Sequence, residues 1–183
     1  MKVTRTPIEG LLIIEPKIFR DDRGYFYESF NERIFKAETG FNDTFVQDNQ
    51  AGSTINVLRG LHYQNPPYAQ SKLIRVLQGA IWDVAVDIRK GSPTYGQWYG
   101  IELSGDNNLQ FLIPPGFAHG YSVLTERANV FYKCDQFYNK ETEGGVFYAD
   151  PSLNIDWKID LKKAVVSEKD KVQPLLKNAN NGF

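Results

Sequence analysis

The chain has 183 residues, which is enough for one well-filled core and predicts a single domain spanning residues 1–183. Its formal net charge of -1 argues against a nucleic-acid-binding protein, which normally shows a basic excess. The single cysteine, Cys134, cannot form an internal disulfide, Met1 is followed by no signal-like leader, and no apolar run approaches the ~20 residues needed to cross a bilayer. We therefore expect a cytoplasmic protein that does not enter a membrane.

The first half of the chain predicts two strands and one helix. Residues 11–14 form an apolar run, residues 20–24 are a turn signal, and residues 25–30 indicate a second strand. Asn31 can cap a helix that runs through residue 38 and ends at Gly40, with Ile34 and Phe35 facing inward. This is the clearest helix of the first half.

The second half predicts a β-rich fold. Short strands separated by turn residues are expected at residues 72–77, 81–88, 97–103, 109–113, 121–124, 129–134 and 145–148. Such regular spacing is typical of a sandwich or a jelly-roll barrel. Within residues 81–88, the even-numbered positions face a core, while Asp83, Ala85 and Asp87 face a cavity or solvent. In the tail, Ser167 begins a helix-capping signal.

The chain contains two histidines, and both lie in glycine-flanked segments. His62 belongs to V-L-R-G-L-H-Y-Q at residues 57–64, and His119 belongs to P-P-G-F-A-H-G. Strand alternation places Arg59 and His62 on opposite faces, so they reach one pocket only if Gly60 marks a bulge or twist. The alternative is a surface arginine beside a histidine satisfied within its strand.

A metal site is the first functional alternative, because jelly-roll barrels of the cupin type often bind a metal through an H-x-H pair. Here the corresponding residues are His62, Tyr63 and Gln64, so the second histidine is missing. Two histidines in all exclude a three-histidine site. A site with two histidines and one carboxylate stays open, although no carboxylate falls at motif spacing. We therefore expect no metal or other cofactor, and a pocket that works by acid-base chemistry.

Ordered motifs run through nearly the whole chain. They are D-x-R-G-x-F at residues 21–26, F-V-Q-D-N at 45–49, V-L-R-G-L-H at 57–62, D-V-A-V-D-I-R at 83–89, G-S-P-T-Y-G-Q-W at 91–98, I-P-P-G-F-A-H-G at 113–120 and F-Y-K at 131–133. This pattern resembles the dTDP-4-dehydrorhamnose 3,5-epimerase family. The resemblance implies an all-β, cupin-type jelly-roll (double-stranded β-helix) barrel with a few short peripheral helices. It also implies an isomerase that uses no metal and acts in dTDP-L-rhamnose biosynthesis.

The family substrate, dTDP-4-dehydro-6-deoxy-D-glucose, carries a C4 carbonyl that acidifies the hydrogens on C3 and C5. Inverting both carbons, to give dTDP-4-dehydro-L-rhamnose, requires a base, an acid on the opposite face and a group that stabilises the enolate. The resemblance assigns His62 as base, Asp170 as its partner, Tyr132 as acid and Lys72 as the cation near the C4 oxygen. A histidine ordinarily titrates near pH 6.5, which suits a base. The alternative roles are a helix cap for Asp170, a packed strand residue for Tyr132 and an exposed strand residue for Lys72.

Further positions match residues that bind substrate in the family. Arg23 and Arg59 suit a diphosphate, because guanidinium groups form paired charge-assisted hydrogen bonds with phosphate oxygens. Tyr138 matches a tyrosine that stacks on thymine. The other matching positions are Phe26, Glu28, Gln47, Asp48, Asn49, His119, Glu143 and Lys169.

Three departures from the family pattern leave alternatives open. Pro115 stands where an acidic residue is common, residues 66–68 read P-P-Y, and Cys134 follows F-Y-K. The resemblance still predicts a homodimer and a 3,5-epimerase. The alternatives are an epimerase of a related dTDP-4-keto sugar that inverts one carbon only, and a non-catalytic cupin that binds a nucleotide sugar. All four catalytic candidates are present, which favours an enzyme.

Overall fold

The computed structural model describes residues 1–183 and contains thirteen strands and two short α-helices. The strands are β1 (Lys2–Arg5), β2 (Leu12–Glu15), β3 (Phe19–Asp21), β4 (Gly24–Phe26), β5 (Gln47–Thr54), β6 (Leu58–Gln64), β7 (Lys72–Gln78), β8 (Ala80–Asp87), β9 (Trp98–Ser104), β10 (Gln110–Ile113), β11 (Phe117–Val123), β12 (Arg127–Cys134) and β13 (Glu143–Gly145). The helices are α1 (Glu32–Thr39) and α2 (Glu168–Lys171). None of the helices is long and apolar enough to cross a membrane.

Two antiparallel sheets form the body of the molecule. The six-stranded sheet has the order β1-β2-β10-β7-β12-β5, and the five-stranded sheet has the order β13-β6-β11-β8-β9. The largest apolar cluster draws on both sheets, with Ile74 and Phe111 from the first and Ile81 and Val123 from the second. The sheets therefore enclose a common interior, as the predicted jelly-roll barrel requires.

The outer faces of both sheets are also partly covered. Phe35 of α1 packs with Leu12 and Leu73 on the six-stranded sheet, and Trp157 of the C-terminal tail packs with Val84 and Val86 on the five-stranded sheet. As a result both faces of β8 are buried, and the solvent-facing alternative for its odd-numbered residues is wrong. Burying the carboxylates of Asp83 and Asp87 is tolerated because each has hydrogen-bond partners inside the protein.

Helix α1 agrees with the sequence prediction at both ends. The side chain of Asn31 accepts a hydrogen bond from the backbone N–H of Ile34 at 3.2 Å, and Gly40 ends the helix with φ of 75°. The predicted strand at residues 25–30, however, is wrong beyond Phe26. Strand β4 pairs only with β3 in an isolated hairpin, and Phe30 instead packs against Phe35 at a ring-centroid distance of 5.4 Å.

Asp87 provides a stability prediction, because it is fully buried at the end of β8. Burial alone would raise the pKa of its carboxyl, but hydrogen bonds from Arg89, Ser92 and Thr94 lower the pKa to about 2. A carboxyl that titrates near 2 when folded and near 4 when unfolded stabilises the fold by roughly 2 kcal/mol at pH 7. That stabilisation is lost as pH falls from about 4 towards 2.

We therefore expect urea unfolding to show that Asp87→Asn is less stable than the wild type at pH 7 by roughly 2 kcal/mol or more. The gap between the two proteins should shrink as the pH is lowered from 5 to 3, because the wild-type carboxyl then loses its advantage. A gap that stays constant across this range would mean that the charge of Asp87 does not contribute to stability.

Candidate active site

Two cavities between the sheets meet at the three residues His62, Lys72 and Tyr132. The first has a volume of about 430 Å³ and is also lined by Arg59 and His119. The second, of about 390 Å³, is lined on its far side by polar groups that include Glu143. The predicted base, cation and acid therefore face the same enclosed space.

His62 is held by Asp170 from the C-terminal tail. The imidazole Nε2 lies 2.6 Å from the Asp170 carboxylate, whose other oxygen accepts a hydrogen bond from the backbone N–H of Gly60 at 3.3 Å. Burial alone would raise the pKa of Asp170, but the interactions with His62 and the hydrogen bond from the backbone N–H of Gly60 together outweigh burial and lower the pKa. Asp170 is thus an anion that fixes the orientation of the imidazole.

The tail brings Asp170 to this position through ordinary backbone pairing. Val165 forms an isolated parallel bridge with Val57, and its carbonyl accepts a hydrogen bond from the N–H of Leu58 at 3.0 Å. Ser167 then caps α2 by accepting a hydrogen bond from the backbone N–H of Asp170 at 3.1 Å. The predicted cap and the predicted partnership with His62 are therefore both present, because one uses the backbone of Asp170 and the other its carboxylate.

A bulge in β6 allows Arg59 and His62 to reach the same cavity. His62 pairs with His119 and Arg59 pairs with Tyr121, so two residues of β6 lie opposite a single residue of β11. Gly60 has φ of 118°, and a Cβ atom there would lie 2.5 Å from the Cα of Gly120. Only glycine fits this conformation and this close approach. The predicted departure from a regular strand at Gly60 is confirmed.

Lys72 and Tyr132 approach from the opposite sheet. Strand pairing places Tyr132 opposite Ile74 and Cys134 opposite Lys72, so both predicted catalytic side chains point from β7 and β12 into the barrel. Lys72 has no carboxylate within 4.0 Å, and burial lowers its pKa. Burial raises the pKa of Tyr132 to about 12, which keeps its hydroxyl protonated at neutral pH.

His119 forms a second histidine–carboxylate pair beside the first. Its Nε2 lies 2.9 Å from the carboxylate of Asp83, which is fully buried on the neighbouring strand β8. The sequence prediction named His119 but not this partner, although Asp83 was placed on a face that could line a cavity. It also missed Tyr121, whose buried hydroxyl lines the first cavity without a hydrogen-bond partner.

Polar residues at the rim connect the two cavities. The hydroxyl of Tyr138 donates to Glu143 at 3.1 Å, and the ammonium of Lys169 lies 2.5 Å from the same carboxylate. Gln47 and Asn49 line the second cavity from β5. These five predicted substrate-binding residues are therefore near the catalytic candidates.

Four predicted substrate-binding residues lie elsewhere in this chain. Asp48 points outward from β5, between Gln47 and Asn49, and pairs with Lys133 at 2.9 Å. Its position follows from strand alternation, which sends every second side chain to the opposite face. Arg23 pairs with Asp21 in the exposed β3–β4 hairpin, and Phe26 and Glu28 line a separate cavity of about 370 Å³. Within a single chain, Arg23, Phe26 and Glu28 line neither of the two cavities that meet at His62, Lys72 and Tyr132.

No group of three or more His, Cys, Asp or Glu side chains is arranged to hold a metal ion. At the position where metal-binding cupins carry the second histidine of their pair, Gln64 instead forms hydrogen bonds with backbone groups.

Comparison with known proteins identifies the family. Residues 5–178 match the family model described as dTDP-4-dehydrorhamnose 3,5-epimerase. The chain belongs to this family. A dTDP-4-dehydrorhamnose 3,5-epimerase of Shigella flexneri is 51% identical over 170 residues, covering 93% of each chain.

Solved structures agree with this assignment. The crystal structure of the epimerase from Elizabethkingia anophelis superimposes with a TM-score of 0.93 at 54% identity, covering 97% of each chain. A Legionella pneumophila epimerase, solved in complex with dTDP-4-keto-L-rhamnose, matches with a TM-score of 0.93 at 50% identity over 97% of this chain and 93% of that one. The protein is thus an isomerase with the cupin-type jelly-roll fold.

The paired contacts of Asp170 lead to a direct prediction for this epimerase. Asp170→Asn retains the backbone cap of α2 but removes the negative charge hydrogen-bonded to the imidazole of His62, so we expect turnover to fall by about 10²-fold or more. The matched control is Glu168→Gln, the same acid-to-amide change on the same helix, where the exposed side chain contacts only Lys171 at 2.6 Å. Steady-state turnover of both variants is the measurement. Equal activity of the two variants would contradict the role given to Asp170.

Proposed function

We propose that the enzyme inverts C3 and C5 of dTDP-4-dehydro-6-deoxy-D-glucose to give dTDP-4-dehydro-L-rhamnose. The observation that carries this proposal is the placement of a carboxylate-held histidine on one sheet and a protonated tyrosine on the other, facing one cavity. An epimerase needs a base and an acid on opposite faces of the sugar. A sugar ring bound between the two sheets would have His62 on one side and Tyr132 on the other.

His62 is the base in this mechanism. When its Nε2–H donates to Asp170, the lone pair of Nδ1 is free to take the proton from C3 or from C5. The imidazolium that forms is stabilised by the adjacent carboxylate. A positioned base of this kind contributes about 10²–10⁴-fold to the rate.

Lys72 stabilises the enolate that remains after proton removal. The electron pair moves from the broken C–H bond onto the C4 oxygen. The ammonium of Lys72, which has no carboxylate partner, stabilises the negative charge that develops there. Donors placed in advance around such an oxygen are worth about 10²–10³ each. Tyr132 then returns a proton to the opposite face of the same carbon, which inverts it without any net change in composition.

The nucleotide end occupies the rim in this proposal. Arg59, His119 and Lys169 supply positive or hydrogen-bonding groups for the diphosphate, although the net charge of the chain is only -1. Tyr138, with Gln47 and Asn49 nearby, supplies an exposed ring on which thymine stacks.

We further propose that the enzyme is a homodimer in which the partner supplies Arg23, Phe26 and Glu28. These residues match family binding positions, yet they lie on or beside a hairpin that is remote from the cavities of its own chain. Phe19, Tyr25 and Phe26 of that hairpin are each more than half exposed, which is unfavourable unless another surface covers them. A second copy related by two-fold symmetry would bring each hairpin to the other chain.

The proposal also covers the number of domains, the location of the enzyme and its partners. Residues 1–183 act as one domain, since the apolar clusters on both faces share β8 and β11. We place the enzyme in the cytoplasm and expect no nucleic-acid or membrane partner, because the chain has one buried free cysteine and no basic excess.

Deuterium exchange tests the proposed reaction. The wild type, incubated in D₂O with dTDP-4-keto-6-deoxyglucose and no reductase, should place deuterium at both C3 and C5, as read by NMR or mass spectrometry. His62→Ala should abolish this exchange at both carbons, because it removes the base. Label at one carbon only would favour the single-centre alternative, and a wild type that leaves the substrate unlabelled would overturn the enzyme proposal.

Subunit complementation tests the proposed dimer. Alone, His62→Ala should be inactive and Arg23→Ala weakly active, whereas an equal mixture refolded together should recover about a quarter of wild-type activity, since half of the random dimers contain one intact site. Activity after mixing is compared with that of each variant refolded by itself. A mixture no more active than the mean of the two variants refolded separately would show that Arg23 does not act across subunits.

A further inference from the structure

Gln64 is a buried glutamine at the last position of β6, two residues after His62. It is 5% exposed and lies on the same side of the strand as His62, at the edge of the second cavity. Burying an amide is unfavourable unless its oxygen and both N–H groups are paired. In this chain all of them are paired.

The partners of Gln64 are backbone groups of two loops. Its Nε2 donates to the carbonyl of Tyr68 at 2.6 Å and to the carbonyl of Phe137 at 3.3 Å. Its Oε1 accepts from the backbone N–H of Asn139 at 2.7 Å. The two carbonyls and one N–H fix the orientation of the amide, because the reverse orientation would set like groups against one another.

These bonds hold the backbone on both sides of Tyr138. The carbonyl before it and the N–H after it are bonded to Gln64, while its own N–H donates to Gln47 at 3.0 Å. One residue further back, the carbonyl of Gln136 accepts a hydrogen bond from the side chain of Gln70 at 2.7 Å. Three glutamine side chains therefore restrain the loop from residue 136 to residue 139.

Hydrogen bonds to the backbone matter for the position of Tyr138 because side-chain packing does little to fix its ring. The side chains of Phe137 and Tyr138 are 62% and 55% exposed, so neither ring is fixed by a core. A ring that is to stack on a base must be held before the base arrives, since ordering it on binding costs conformational entropy. The hydrogen bonds of Gln64 hold the backbone on both sides of Tyr138, and those to Gln47 and Glu143 hold its N–H and its hydroxyl.

We propose that Gln64 is a positioning residue that sets the affinity of the enzyme for the nucleotide end of its substrate by holding Tyr138 in place. This inference rests on the proposed function, because it takes Tyr138 as the stacking platform for thymine.

The same role explains why a glutamine, and not a histidine, occupies the third position of the H-x-H pattern. A histidine at this position has two ring nitrogens and could not satisfy three backbone groups at once.

The test is a double-mutant cycle on dTDP binding, measured by calorimetry. Gln64→Met keeps the length of the side chain but removes every hydrogen bond, and we expect the Kd for dTDP to rise by about tenfold. Turnover at saturating substrate should change by less than about threefold, because the groups at the reacting carbons are untouched. In the Tyr138→Ala background the same substitution should change the Kd by less than about twofold.

Two further variants separate positioning from a general loss of stability. Thr125→Val is the structural control, because Thr125 also bonds two backbone groups, at the first residues of β8 and β12, accepting from Ala80 and donating to Arg127, both at 2.9 Å. It should lower the melting temperature without changing the Kd for dTDP. Gln64→Glu retains the acceptor for Asn139 but loses both donors, so it should weaken dTDP binding in the same direction and serves if Gln64→Met does not fold.

An unchanged Kd in the Gln64 variants would overturn the inference. So would an equal loss of affinity with and without the Tyr138 ring, because Gln64 would then act on the fold and not through Tyr138. Failure of the proposed function is distinguishable from both, since the wild type itself would then show neither dTDP binding nor deuterium exchange.

Discussion

The hydrogen bond between His62 and Asp170 connects the barrel to the C-terminal tail, and the active site depends on it. The two residues are 108 positions apart in sequence, and their atoms lie 2.6 Å apart. The proposed base lies on a barrel strand, but the anion that orients it comes from a four-residue helix whose stability depends on tertiary contacts. The tail that carries Asp170 is held against the barrel by the backbone pairing of Val165, so the position of the carboxylate depends on that pairing.

The barrel divides the chemical roles between its two sheets. The five-stranded sheet carries both histidines, each held by a buried carboxylate, and the six-stranded sheet carries Lys72 and Tyr132, neither of which has a charged partner. Burial acts in opposite directions on the pKa values of the last two, lowering that of the ammonium and raising that of the hydroxyl. One wall is thus suited to accept protons, and the other to supply a proton and stabilise negative charge.

The sequence predicted those features whose cause is local. Helix α1 has a cap at each end that can be read from Asn31 and Gly40, and the bulge at Gly60 followed from the conflict between strand parity and a shared pocket. Strand β5 was harder to predict because its Q-D-N-Q-A-G-S-T sequence is polar, and it becomes a strand by pairing with β12. The surroundings of Tyr121 and the Asp83–His119 pair were missed because they depend on contacts across neighbouring strands. Arg23, Phe26 and Glu28 illustrate a different limit, since they lie away from the two cavities of their own chain, and the proposed contact with a partner involves residues that the fold of one chain does not bring together.

The most direct measurement of the central claim is a crystal structure of the enzyme with its dTDP-linked keto sugar or product bound. We expect a sugar ring between β6 and β12, with the imidazole of His62 and the hydroxyl of Tyr132 within hydrogen-bonding reach of opposite faces and the C4 oxygen near Lys72. A sugar bound outside the shared cavity, or one that has both groups on the same face, would contradict it.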